Sequence, residues 1–360
     1  MRYKQIVIKV GTNVLTQASG LLDITNISHL VDQIAELKNH GVHVILVSSG
    51  AVGAGKSMTP VPGDLNKVVR RQVLSAIGQV KLMETYRQLF SNYQLFCAQL
   101  LVTKEDFRDR LHYINMKNCF QALLRDKVIP IVNENDVVSV SELMFTDNDE
   151  LAGLVAAMTN AEALIILSNV DGVFDGPPEL ADSKVIREID PEDKSVLKGI
   201  SPTKSSFGRG GMMTKLRIAQ KAAKVGIATI IANGKRKNIL LDILQDSFVG
   251  TCFRAEHRVS NLKKWMAYND TEGKAIIVVN QGAEQALCST EKVSSLLPVG
   301  IVKIEGDFKK GDLIRIHNEA GKTLGLGIAQ YGAEKARQFL GQQNKKALIH
   351  YDYLFVSNAD

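Results

Sequence analysis

The sequence predicts an α/β fold, a mainly parallel sheet sandwiched by helices, followed by a small, mostly β domain. Three observations carry this. Over roughly the first 250 residues, short continuous apolar runs alternate with longer segments of helical spacing. That is the pattern of strands buried on both faces and joined by crossover helices. The apolar runs end in clusters of Gly, Ser, Asn and Asp, the residues of loops at a sheet's C-terminal edge, where open α/β folds bind ligands. After Trp265 the texture changes to short strand-like runs separated by Gly-rich turns, which suits a barrel-like unit.

The elements follow in order. Gln5 to Val10 (QIVIKV) reads as a strand that runs into Gly11-Thr12-Asn13. Its one charge, Lys9, is costly to bury unless a partner neutralises it. Ile24 to His40 has helical spacing and stops at Gly41, and Val42 to Val47 is a second strand ending in Ser48-Ser49-Gly50. Leu65 to Tyr93 reads as one or two helices, Gln94 to Val102 as a strand, and Phe107 to Lys127 as a helix. Val128 to Val132 is a buried strand, Leu151 to Met158 a helical run and Ala163 to Leu167 another strand. A Gly-rich loop, Ser205 to Gly211, leads into a helix from Met212 to Val225 and a strand from Ile227 to Ala232. In the tail, strands are expected at 274–280, 300–305, 313–317, 324–330 and 347–353, with a short helix at 333–340. The expected domains are 1–255 and 274–360, with a linker over 256–273.

Composition narrows the function. The hydrophobic fraction of 45% and charged fraction of 23% are those of an ordinary soluble protein. Four separated cysteines form no CxxC pair, which gives no disulfide framework or metal site and makes a reducing, cytoplasmic setting the expectation. No apolar run is long enough for a membrane span, and the first strand leaves no room for a signal peptide. The net charge of +6 is unevenly placed. Between Asp193 and Asp242 there is no acidic residue, but there are eleven basic ones, including Arg209, Lys215, Lys221 and Arg236. A stretch free of carboxylates points to a polyanionic ligand such as a nucleoside triphosphate.

The chain is organised around Ile129 to Asp149. A buried strand runs straight into Asn133-Glu134-Asn135-Asp136, and Asp147-Asn148-Asp149 opens the next helix. Helix capping, with Asp147 as N-cap and Glu150 closing a capping box, explains the second cluster. It leaves the first as a candidate ligand loop. Lys9, the glycine turn after the second strand, the Asn/Asp loop and Lys215 together suit phosphoryl transfer, which needs positioning and positive charge more than covalent help. Two lysines would flank the moving group, with a carboxylate such as Asp147 holding them. Residues 50–57 also match the P-loop pattern G-x-x-x-x-G-K-[ST] letter for letter after a strand. That alternative would make Lys56 the phosphate lysine, but it leaves Lys9, the Asn/Asp loop and the acid-free segment without roles.

Taken together and in order, KVGTN, VSSGAVGAG, VNEND, TDNDELAG, GRGGMMTK, SSLLPVGI and GDFKKGDLIRI resemble the glutamate 5-kinase branch of the amino-acid kinase family, which carries a C-terminal PUA domain. The resemblance runs from about Ile6 to about Tyr351. It implies the amino-acid kinase fold and ATP-dependent phosphorylation of the side-chain carboxylate of L-glutamate, the first step toward proline. It also implies Mg²⁺ carried mainly by ATP, proline as feedback inhibitor, and a homo-oligomer, either dimer or tetramer. Carried over by motif, Lys9, Lys215 and Asp147 would be catalytic. Ser49, Gly50, Asn133, Asp136 and Asn148 would bind glutamate, Asp136 through the ammonium group. Gly11, Ser168, Asn169, Arg209, Gly210, Gly211, Met212, Met213 and Thr214, with the two lysines, would line the ATP site. Asn169 stands where the family usually has an acidic residue, and Arg209 where a small one is common. Both departures fall on the nucleotide side.

The alternatives are another amino-acid kinase, acting on aspartate or N-acetylglutamate, a P-loop nucleoside triphosphatase, and an RNA-binding protein acting through its PUA domain. The tail from Lys274 carries eleven basic against nine acidic residues. That is too weak a positive footprint to argue for nucleic acid.

Overall fold

The computed structural model describes residues 2–59, 65–108, 110–138, 145, 147–177, 180, 182–193, 211–255, 264, 275–289 and 294–356. The chain divides into two compact units, residues 1–258 and 259–360. Apart from Lys264, the expected linker over 256–273 lies outside the described residues, as do Arg209, Gly210 and the Gly-rich loop before them.

The first unit is an eight-stranded sheet. Its strands are β1 (Gln5–Val10), β2 (His43–Ser48), β3 (Cys97–Val102), β4 (Ile129–Glu134), β5 (Ala163–Ser168), β6 (Glu188–Ile189), β7 (Ala228–Asn233) and β8 (Gly250–Phe253), in the spatial order β3-β4-β2-β1-β5-β7-β8-β6. All neighbouring pairs are parallel except β7 with β8. The chain therefore builds outward from β1 through β2, β4 and β3, then returns to lay β5 and β7 on the other side. That reversal places a crevice at the C-terminal ends of β1, β2, β4 and β5, the switch point where such sheets bind ligands.

The covering helices are α1 (Thr12–Leu15), α2 (Ile24–Asn39), α3 (Ala51–Met58), α4 (Lys67–Ser91), α5 (Lys104–Arg108), α6 (Arg110–Arg125), α7 (Asn148–Thr159), α8 (Met212–Lys224) and α9 (Ile239–Leu244). Ile6, Ile8 and Val10 pack on one face of the sheet with Ile27, Leu30 and Ile34 of α2. Alternation along β1 then sends Lys9 to the opposite face, where α7 packs. The apolar run expected at 151–158 begins three residues earlier, because the Asp147 N-cap accepts from the Asp149 and Glu150 amides. Leu65 to Tyr93 resolves into the single helix α4, capped by Asn66. The expected helix at 107–127 is helical over Phe107–Arg108 and Arg110–Arg125, with residue 109 outside the described residues. Strands β6 and β8 had no signal in the sequence: one is two residues long and the other four, too short for an alternation to show.

The P-loop-like stretch forms no phosphate cradle between strand and helix. Gly50, at φ 101°, turns the chain into α3, and Gly55 and Gly78 let α3 and α4 cross with backbones almost touching. A Cβ on Gly55 would overlap the Leu74 carbonyl oxygen, and one on Gly78 the Ala51 carbonyl oxygen. Lys56 points to solvent. The glycine spacing therefore serves helix packing, which is why the letters match without the chemistry.

The second unit is a five-stranded sheet, β9 (Ala275–Val279), β10 (Ile301–Gly306), β11 (Leu313–Asn318), β12 (Thr323–Ile328) and β13 (Leu354–Val356), in the order β10-β9-β11-β12-β13. Only β9 and β11 run parallel. Its own core gathers Ile277, Val279, Ile314, Ile316, Leu324 and Leu348 around α10 (Gln281–Cys288) and α11 (Ala333–Phe339). The strand expected at 347–353 is displaced. Residue Ile349 makes only an isolated bridge with Leu296, Tyr351–Tyr353 form a 3-10 turn, and the ladder strand follows at 354.

Candidate active site

At the crevice the two lysines meet a shared carboxylate. Asp149, fully buried in the first turn of α7, lies 2.6 Å from Lys9 Nζ and 2.8 Å from Lys215 Nζ. Both lysines are themselves buried, at 5% and 9% exposure. The sequence reading gave this bridging place to Asp147, and the structure gives it to Asp149. The physical reason is the cap: Asp147 turns one oxygen onto the helix amides, while Asp149, two residues on, faces β1. Burial opposes ionisation of Asp149, but Lys9 and Lys215 outweigh it and hold the carboxyl below its ordinary range. Burial raises the Asp147 carboxyl, and the Asp149 charge beside it raises it further against the pull of the lysines. Lys9 and Lys215 thus aim two ammonium groups into a low-dielectric crevice, with Asp149 between them and Asp147 beside it. Preorganised cationic donors are what a phosphoryl group in transit requires. Gly11 keeps the approach open, since a Cβ there would sit 3.4 Å from Lys9 Nζ and 3.3 Å from the Leu167 carbonyl oxygen.

Beside this triad stands a hydrogen-bonded cluster built from β2, β4, α4 and α7. Asn148 Nδ2 donates to Ser49 Oγ and to Asn133 Oδ1, both at 3.0 Å. Asn133 Nδ2 donates to Gln79 Oε1 at 3.0 Å, and Ser48 Oγ pairs with Tyr86 Oη at 2.9 Å. Asp136 is held by Ser75 Oγ at 2.9 Å and by Arg71 Nη2 at 2.5 Å. Arg71 also lies 3.6 Å from Glu134. Burial lifts the Glu134 carboxyl to about 7. The structure thus brings Ser49, Asn133, Asp136 and Asn148 to one end of the crevice, next to the turn at Gly50. Sequence reasoning missed Asp149 as the bridge, and it missed Arg71, Ser75, Gln79 and Tyr86. A signal existed for the latter: these residues fall at helical spacing on one face of α4, a polar stripe on an otherwise core-facing side.

On the other side, Ser168 ends β5 and Asn169 follows it, exposed. Gly211 precedes α8, so Met212, Met213 and Thr214 place their amides at a helix N-terminus beside Lys215 with no capping side chain among the described residues, an arrangement suited to phosphate. Asp171 was not foreseen. It takes a two-pronged contact from Arg236, both at 2.7 Å, and a 3.0 Å bond from Asn233.

For a divalent cation, the notable atom is Asp147 Oδ2, buried without a hydrogen-bond partner among the described residues. It is a hard oxygen donor. The same residues contain no group of three or more His, Cys, Asp or Glu able to hold a metal. The donor set fits Mg²⁺ delivered on nucleotide phosphates and touching one carboxylate, not an all-protein cage.

Comparison with known proteins agrees with this geometry. Residues 4–233 match the amino acid kinase family and residues 275–350 the PUA domain. The chain is 50% identical to a glutamate 5-kinase of Chlorobaculum tepidum over 354 residues, 98% of each chain. It is also 50% identical to a glutamate 5-kinase of Bacteroides thetaiotaomicron, over 98% of this chain and 99% of the relative. Among solved structures, a carbamate kinase from Giardia lamblia bound to AMP-PNP superposes with a TM-score of 0.52 at 21% identity, covering 71% of this chain and 99% of that one. A UMP kinase from Bacillus anthracis gives 0.50 at 15% identity over 71% and 98%; at these identities the two share the fold. The chain belongs to the amino acid kinase family.

Proposed function

We propose that the chain transfers the terminal phosphoryl group of ATP to the side-chain carboxylate of L-glutamate, forming L-glutamyl 5-phosphate and ADP. The observation that carries the reading is the Lys9–Asp149–Lys215 bridge lying beside the Ser49–Asn133–Asn148 cluster. The near-full-length identity to relatives named glutamate 5-kinase supports the choice of substrate.

The nucleophile is a carboxylate and already anionic, so no general base is needed. A carboxylate oxygen bonds to the terminal phosphorus as the bond to the bridging oxygen of ADP breaks, and no proton moves. The obstacle is repulsion between two anions, which Lys9 and Lys215 offset as charge spreads over the phosphoryl oxygens. Asp149 keeps both ammonium groups aimed inward. The uncapped amides of α8 supply further donors to the nucleotide phosphates. Asp147 would be the protein contact of an Mg²⁺ arriving with ATP, which would supply positive charge to the phosphate oxygens. Ser49, Asn133 and Asn148 orient the amino acid, and Asp136 takes its ammonium group. Proline as feedback inhibitor and assembly as a dimer or tetramer belong to the same reading.

The test is ATP turnover with a panel of amino acids, trapping the acyl phosphate as a hydroxamate. L-glutamate should give product, with aspartate and N-acetylglutamate far behind. Faster turnover of either competitor would assign the chain to another branch of the family.

A further inference from the structure

L-glutamate offers three charged groups, and the residues discussed so far meet two of them. Its side-chain carboxylate goes to the lysine triad and its ammonium to Asp136. The α-carboxylate needs a cation of its own, since an unpaired charge in a desolvated site is costly. Lys9 and Lys215 are committed to Asp149, and Lys104 is paired with Glu150 at 2.8 Å. Arg71 is the described cation that touches the amino-acid end.

We propose that Arg71 binds the α-carboxylate of the amino-acid substrate, so that Asp136 and Arg71 together read both charges of the amino-acid head group; this rests on the phosphoryl-transfer reading above. Three observations support it. Arg71 reaches the site from α4 with its side chain 29% exposed, so the guanidinium is held but not sealed off. One of its nitrogens, Nη2, makes the contacts to Asp136 and Glu134. Another, Nε, is buried with no hydrogen-bond partner among the described residues, an N–H that a carboxylate oxygen would satisfy. A guanidinium has five donors in a planar fork, so it can keep Asp136 on one prong and take a carboxylate on another.

The placement also explains why one arginine stands between two carboxylates. Glu134 and Asp136 are both buried, and with Arg71 they carry one net negative charge when both are ionised. Adding the head group's ammonium and carboxylate together leaves that balance unchanged. Recognition of a zwitterion therefore needs both residues, whereas a plain amine or a plain acid would unbalance the pocket.

The experiment uses two analogues that each lack one charge. L-isoglutamine keeps the ammonium and the side-chain carboxylate but replaces the α-carboxylate with an amide. Glutarate keeps both carboxylates and lacks the ammonium. The unaltered chain is measured first by hydroxamate formation. If it makes none from L-glutamate, the parent reading fails before any variant is compared. With it active, kcat/KM for L-glutamate should exceed that for L-isoglutamine by roughly 10- to 150-fold, the worth of a charge-assisted hydrogen bond. Arg71→Gln should bring those two substrates within about threefold of each other while leaving the preference over glutarate. Asp136→Asn should do the reverse. If Arg71→Gln lowers activity equally on glutamate and isoglutamine, whatever it does to glutarate, Arg71 does not read the α-carboxylate and the proposal is overturned. Arg71→Lys serves where the glutamine variant fails to fold: it keeps the charge and loses the fork. A several-fold fall in the glutamate-to-isoglutamine ratio supports the assignment, and an unchanged ratio removes it.

Discussion

At one end of the crevice two lysines share one carboxylate, Asp149, and at the other one arginine shares two, Glu134 and Asp136. Under the proposed reaction, the first arrangement gathers ammonium groups where phosphate would travel. The second gathers carboxylates where an ammonium would settle. Burial differs as well. Asp149 is fully buried and Lys9 nearly so, whereas Arg71 keeps 29% of its side chain exposed. On the proposed reading, the charges that would act in the transition state are locked in place, and those that would admit a substrate keep an opening. The contrast predicts that damage at the lysine end appears in turnover and damage at the arginine end in binding.

The largest effect is expected at the lysine end. Lys9→Ala should lower kcat by about two to three orders of magnitude, as does loss of one preorganised charge-stabilising donor elsewhere. KM for glutamate should change little, because the charge counts mainly in the transition state. Asp149→Asn should follow the same pattern, whereas Asp147→Asn should spare the lysine geometry. Steady-state kinetics at saturating glutamate, with ATP and Mg²⁺ each varied, separate the two aspartates: Asp149→Asn should lower kcat at every Mg²⁺ concentration, whereas Asp147→Asn should shift the Mg²⁺ dependence. If Asp149→Asn left kcat at saturating ATP and Mg²⁺ unchanged, the bridging role drawn from the geometry would be wrong.

Next comes the buried Glu134. Its carboxyl is lifted from 4.5 to about 7 on folding, chiefly by burial. A pKa raised in the folded state favours the protonated form there, so its contribution to stability is full below 4.5 and disappears as pH rises through about 7. Glu134→Gln should remove that dependence, worth at most about 3 kcal/mol. Chemical denaturation of both proteins across this window measures it; parallel profiles would mean that Arg71 keeps Glu134 ionised.

Asp136→Ala should raise KM for glutamate roughly 10- to 150-fold, the equivalent of about 1.5–3 kcal/mol, with KM for ATP little changed. Equal effects on both substrates would make the loop structural and erase the distinction between the ends. The smallest effect is expected at Lys56, exposed on α3. Lys56→Ala should leave both Michaelis constants and kcat within about twofold, since exposed charges contribute little. An inactive Lys56 variant beside an active Lys9 variant would restore the P-loop reading.

The parallel sheet, the two-part organisation and the candidates Lys9, Lys215, Ser49, Asn133, Asp136 and Asn148 were legible in the sequence; Arg71, Ser75, Gln79 and Tyr86 were not. Continuous apolar runs such as VILV and LIIL declare strands buried on both faces, and their polar endings declare the ligand edge. Ordered motifs over nearly the whole length declared the family. The role of Asp149 against Asp147 was not legible, because both stand in one Asp-Asn-Asp triplet and differ only in which faces β1 and which caps α7. The purpose of Gly55 was hidden for a related reason: the same letters serve a phosphate turn or a close helix crossing, and only the partner helix α4 decides.

The amino-acid sequence by itself determined most of the strands and helices (though not β6, β8 or β13), several residues that could carry charge to a crevice, and the family to which the chain belongs. These depend on local periodicity and on ordered motifs, both written along the chain. Only the tertiary structure decided that Lys9 and Lys215, more than two hundred residues apart, share Asp149, and that α4 brings Arg71, Ser75 and Gln79 to Asp136 and Asn133. Ion pairing and hydrogen bonding are set by distance in space, and the sheet order that folds α4 and α7 over the same edge is what makes those distances short.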